Sequence, residues 1–235
     1  GWETATRAAV VTLRDGISIP YAPSRVFQWR CLTEGWIREA LYPALHLATA
    51  EVVAPHDPLM TWMLDDLEDR IFFSRQSGYA VADCETAWFE RGGVTLQPCL
   101  LDTPIVYMAR DEIEAALRAF WNSYALLIYP DARCLAEWAP AFGRGGGPLY
   151  KTSDEARFVM WLRQLLGWED GDVLRLCRGM PREWLRGSAR TTVANAPTVF
   201  GVTSFRIEAD AAGRRLRAVV SPPARPPPRE LWLRR

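Results

Sequence analysis

Glu137 and Trp138 stand together in a glycine-rich stretch, residues 130–152, between two strongly amphipathic segments. A carboxylate beside an indole suits a sugar. The carboxylate exchanges protons or accepts from hydroxyls, and the indole offers a flat apolar face to a pyranose ring. Glycosidic hydrolysis usually needs two carboxyl groups flanking the bond, one protonated and one ionised. A second long polar stretch, 74–96, offers Glu85 and Glu90 as partners for Glu137. Contacts to hydroxyls and ring faces would come from Arg25, Trp29 and Arg30 in a third stretch, 16–32, and from Gln76, Trp88, Arg91, Trp138 and Lys151. Taken singly, each of these residues more commonly packs or is simply solvated.

Other chemistries fit less well. Asp65, Asp66, Glu68 and Asp69 are four acids in five positions, the ordinary pattern of a solvated helix face. The run Gly143 to Thr152 superficially suggests a phosphate loop, but Tyr150 rather than Gly precedes Lys151. No G-x-S-x-G is present for a serine nucleophile. The five cysteines, Cys31, Cys84, Cys99, Cys134 and Cys177, have no CxxC spacing, and neither His46 nor His56 lies near one in sequence. Neither a metal nor a cofactor is expected. A lyase would want Tyr or His as base, whereas His46 is expected inside a helix and His56 in a short connector.

The chain has 235 residues, 49 % hydrophobic and 24 % charged, with a formal net charge of zero. That balance gives no overall basic footprint for nucleic acid and no polybasic membrane patch. No apolar stretch approaches the ~20 residues of a membrane helix. The start, Gly1-Trp2-Glu3, shows neither an initiator Met nor a signal peptide's charged-then-apolar pattern, so a piece of a longer cytoplasmic protein is expected. Eleven tryptophans are spread along the length, most of them core by expectation.

The elements that would position these residues read as helices over 2–14, 34–52, Asp57 to Phe73, 97–107, 110–128 and Thr152 to Gly167. Asp57-Pro58 is a strong helix start, and Ile113, Leu117, Phe120, Tyr124 and Leu127 keep one stripe. Short connectors at 53–56 and 108–109 alternate with the three long polar stretches. In a row of antiparallel helices this puts all three at one end. Beyond Gly167, partial period-2 alternation predicts short strands at Val173–Leu176, Thr198–Glu208, Arg215–Val220 and Leu231–Leu233, with a turn at Glu169–Asp172.

Two sets of residues carry a family resemblance. One is Glu137-Trp138, Phe142-Gly143-Arg144-Gly145-Gly146-Gly147-Pro148-Leu149-Tyr150-Lys151-Thr152, Gly171-Asp172-Val173-Leu174, Pro181-Arg182-Glu183-Trp184-Leu185 and Ala196-Pro197-Thr198-Val199-Phe200-Gly201. The other is Trp62 with Asp65-Asp66-Leu67-Glu68-Asp69, and Trp88-Phe89-Glu90-Arg91-Gly92-Gly93. Together they resemble the C-terminal end of bacterial six-hairpin glycosidase-like proteins. The resemblance implies a mainly α fold: three helical hairpins, half of an (α/α)6 toroid, over 1–167, then a small antiparallel β domain over 168–235. It implies that the N-terminal half of the same polypeptide is the missing partner and that the open face exposes apolar surface. It also implies a saccharide substrate hydrolysed through paired carboxylates, with Glu137 in the loop that carries one of them. The alternative is a non-catalytic carbohydrate-binding or scaffolding protein on the same fold.

Overall fold

The computed structural model describes residues 4, 10–12, 18–20, 45–66, 99, 102–129, 131–141, 144–146, 150–210, 212 and 214–234. The chain divides into two compact units, Gly1–Trp161 and Leu162–Arg235. The boundary expected from sequence was 167/168.

In the first unit, strands β1 (Val10–Thr12) and β2 (Ser18–Pro20) pair antiparallel, Val11 opposite Ile19. Helix α1 is the short His46–Thr49. Helix α2, Pro58–Asp66, begins as its sequence dictates: the Asp57 carboxylate accepts the Leu59 N–H at 2.8 Å, and Pro58 needs no donor at the first helical position. Helix α3, Thr103–Ala109, starts after Asp102 with Pro104 in its first turn. Helix α4, Ile113–Leu127, buries Ala116, Ala119, Phe120, Ser123 and Leu127, a stripe at helical spacing. At Ile128 the backbone turns extended and the chain enters β3 (Ile128–Tyr129), paired with β4 (Cys134–Leu135). Strand β5 (Trp138–Ala141) then pairs with β6 (Arg144–Gly146).

Helix α5, Thr152–Leu166, follows. Its Phe158 and Trp161 meet edge-on with ring centroids 4.8 Å apart, and Phe120 of α4 lies 5.7 Å from Phe158 and 6.4 Å from Trp161. Each such pair contributes about 0.5–1.5 kcal/mol beyond its area. Trp161, at 1 % exposure, is the largest fully buried side chain among the described residues.

The second unit holds two three-stranded sheets. In one, β7 (Gly167–Asp170) pairs antiparallel with β8 (Val173–Leu176), and β12 (Glu230–Leu233) lies parallel to β8 on its other side. In the other, β10 (Gly201–Ala209) is central between β9 (Arg190–Thr198) and β11 (Leu216–Ser221), antiparallel to both. A 3-10 turn spans Arg182–Leu185. The core packs Leu174, Leu176 and Cys177 with Phe200, Phe205 and Ile207, and Leu166 and Met180 lean against it. Burial pushes the Cys177 thiol up to about 12, so it is an inert core group. Glu169 ties β7 to the β9–β10 turn, accepting from Val199 N at 2.8 Å and Arg163 at 3.0 Å.

This architecture overturns the expected fold class. The chain is not a mainly α half-toroid followed by a small β domain: strands are interleaved with helices in the first unit, and the second, beyond the end of α5, is strands with one 3-10 turn. Where a helix was predicted over 2–14, Val10–Thr12 form β1, because Val10-Val11-Thr12 is β-branched and pairs with Ser18-Ile19-Pro20. The polar stretch 130–152 is not one long loop, since its β4 pairs with β3 just before it and its β5 and β6 pair with each other. The expected turn at Glu169–Asp172 is shorter, with Glu169 and Asp170 inside β7. Nor is the β region purely antiparallel, given the parallel β12–β8 pairing. No helix among the described residues is long and apolar enough to cross a membrane.

Candidate functional site

One face of α5 organises the polar chemistry of the first unit. Asp154, Arg157 and Trp161 fall at i, i+3 and i+7, so all three point the same way. Lys151 immediately precedes the helix. Its ammonium donates to Glu137 Oε1 at 2.5 Å and lies 3.3 Å from Asp154 Oδ2. Glu137 and Lys151 are both partly open, 29 % and 28 % exposed at the side chain, whereas Asp154 is buried at 6 %. An acid in the first turn also meets the positive end of the helix dipole. Burial alone would lower the Lys151 pKa, but the bonds to Glu137 and Asp154 prevail and hold it above its ordinary value. This amine is therefore a fixed cation and a poor nucleophile at neutral pH.

Lys151 has a further distinction. It is the single lysine of the chain, against 27 arginines. A compact ammonium on a flexible stem fits between two carboxylates that are not coplanar, where a guanidinium's flat fork prefers one.

A second cluster surrounds Asp102, 3 % exposed at the start of α3. Its Oδ2 is 2.7 Å from His46 Nδ1, Arg157 Nη1 lies 3.0 Å from Oδ1, and Trp161 Nε1 donates to Oδ1 at 3.3 Å. Thr49 Oγ1 adds a longer contact at 3.4 Å. Burial alone would push this carboxyl up. The His46 bond, the Arg157 charge and the indole N–H outweigh it and hold the pKa below the usual 3.8. Between the two clusters, the buried Cys99 thiol donates to the Asp154 carbonyl at 3.8 Å, and burial raises its pKa far out of the reactive range.

Of the residues singled out from sequence, the structure brings Glu137 and Lys151 into direct contact. Trp138 opens β5, its backbone paired with Gly146. Glu85, Glu90, Arg25, Trp29, Arg30, Gln76, Trp88 and Arg91 lie outside the described residues, as do the stretches 21–32 and 74–96 that hold them. His46, Asp102 and Arg157 were not singled out as a set. Fifty-three or more residues separate Asp102 from each partner, so no local spacing joins them. The usable signal was the α5 face, where Arg157 and Trp161 sit at i, i+4 with a polar group on an otherwise buried side. Among the described residues, no group of His, Cys, Asp and Glu has the geometry to hold a metal ion.

Comparison of the chain with protein-family models, with curated proteins and with solved structures finds no match.

Proposed function

We propose that this chain binds a saccharide without hydrolysing it, through the Glu137–Lys151 pair. The observation that carries the reading is the Lys151 ammonium held between Glu137 and the buried Asp154, with Glu137 and Lys151 partly open to solvent. Neighbouring hydroxyls of a sugar are at once donors and acceptors. A carboxylate and an ammonium fixed side by side meet one of each. The residue types flanking the pair in sequence, Trp138 above all, support the same ligand class.

The hydrolytic reading is weaker on this geometry. A general acid must bring its own proton to the glycosidic oxygen, yet Glu137 Oε1 already receives one from Lys151. The space between the two carboxylates is filled by an ammonium instead of a water or an anomeric carbon. We also place the protein in the cytoplasm, supported by the buried free thiols Cys99, Cys134 and Cys177.

Calorimetric titration with neutral cello-, xylo- and malto-oligosaccharides tests the reading. Binding of one series is expected, weakened about tenfold by Glu137→Gln or Lys151→Met, the scale of one charged hydrogen bond. No reducing ends should appear. Release of reducing ends by the wild-type chain, abolished in Glu137→Gln, would restore the hydrolase instead.

A further inference from the structure

The neutral net charge conceals a division. Residues 162–235 carry fourteen arginines and no lysine against seven Asp and Glu, and residues 1–161 carry the compensating acidic excess. The arginines of the second unit are not scattered evenly. On β10, Phe205, Ile207 and Ala209 are buried, so Ser204, Arg206 and Glu208 face outward. The register places Arg190 of β9 and Arg217 of β11 opposite Glu208, and Thr192 and Val219 opposite Arg206, all on the same outer face. Glu208 Oε1 is shared by Arg190 Nε at 2.8 Å and Arg206 Nε at 3.1 Å. Arg217 is exposed, and Arg214 and Arg215 follow at the hairpin end of the same strands, also exposed. Two acids, Glu208 and, at the hairpin end, Asp210, therefore lie within a band of arginines.

We propose that this outer sheet face binds an acid-bearing polysaccharide, with Arg190 and Arg217 gripping successive carboxylates. The chemistry points there in three ways. A planar guanidinium takes a carboxylate through two parallel N–H bonds. Glu208, Thr192 and Ser204 add acceptors and hydroxyls between the arginines, which suit a ligand carrying hydroxyls as well as anions. A phosphodiester backbone of DNA presents acceptors alone, with no hydroxyl from which Glu208 could accept. The outward positions named here also include no aromatic ring on which a base would stack. The proposal extends the saccharide reading to a second surface and a charged class of chain.

The test is binding of the whole 1–235 chain to immobilised polygalacturonate, with dextran and a short DNA duplex as comparisons. Retention on polygalacturonate is expected, weakening with salt. The double variant Arg190→Gln/Arg217→Gln should lose at least about tenfold in affinity, while Arg225→Gln/Arg229→Gln, which removes equal charge from the segment between β11 and β12, should not. All four positions are exposed, so folding is expected to survive and is checked by circular dichroism. Equal loss in the two double variants, tighter retention on DNA, or no retention on polygalacturonate at low salt overturns the proposal. Glu137→Gln separates the two sites. If polygalacturonate binding is absent while a neutral glycan binds through Glu137, the sheet proposal fails alone. If the arginine face binds and no neutral glycan does, the Glu137–Lys151 reading fails alone.

Discussion

Asp102 is the residue on which the first unit's polar interior depends. Four groups converge on it, two on each carboxylate oxygen, and an amide in its place would keep one acceptor oxygen but no charge. Asp102→Asn should destabilise the chain by roughly 1–3 kcal/mol, the cost of replacing a buried, multiply bonded carboxylate whose cationic partners are themselves part-exposed, read as a shift in the urea midpoint. The pH dependence follows from the depressed pKa. The unfolded carboxyl binds protons more readily than the folded one, so stability from Asp102 is complete above the ordinary value of 3.8 and is lost as pH falls through the lower folded value. Wild type and Asp102→Asn should therefore differ most near neutrality and converge in acid. Lys151 has the opposite sign. Its folded pKa is raised, so its contribution is complete below the ordinary 10.5 and fades as pH rises through the folded value.

At the scale of elements, tight turns constrain the second unit more than strand propensity does. The β9–β10 hairpin turns at Val199–Phe200, and Gly201 directly after it has φ +110°, where an added Cβ would lie 3.4 Å from the Arg225 backbone nitrogen. Gly201→Ala should destabilise by about 1–3 kcal/mol because an L side chain is strained there. At Gly171, φ +57° with open space around the site, the cost should be smaller, of the order of 1 kcal/mol. Thermal melts of the two variants compare them directly.

The elements also show what the sequence could convey. Helices α4 and α5 were legible because each keeps a stripe at helical spacing over fifteen residues, and α2 because Asp57-Pro58 marks its start. Strand β1 was not, since a few periodic apolar residues near the start fit a helix as well as a strand. The parallel pairing of β12 with β8 joins Glu230 to Val173, and nothing local in either segment encodes so distant a partner. In the candidate site, Glu137 and Lys151 were each visible by type and setting. Asp154 behind them and the Asp102 cluster became visible only through packing along α5.

The whole molecule departs from the half-toroid that the family resemblance implied, and with that fold goes the reason for placing Glu137 in a hydrolase's catalytic loop. The first unit instead presents a carboxylate–ammonium pair at the start of α5, and the second an arginine-rich sheet face. Trp161 underlies the first of these, giving its indole N–H to Asp102 and its ring to Phe120 and Phe158. Trp161→Phe should keep most of the packing while leaving Asp102 a donor short. A loss of about 1.5–3 kcal/mol is expected, the scale of one hydrogen bond to a charged group, with saccharide affinity at Glu137 falling in step if α5 shifts.

Because Lys151 is the single lysine, one isotope-labelled lysine reports on the site without ambiguity. The chain labelled with 15N at lysine Nζ, titrated with the oligosaccharide series that binds by calorimetry, should show one side-chain signal that shifts to saturation in the wild type and far less in Glu137→Gln. A Lys151 signal that stays fixed while the sugar binds would place the ligand elsewhere and contradict the proposed site.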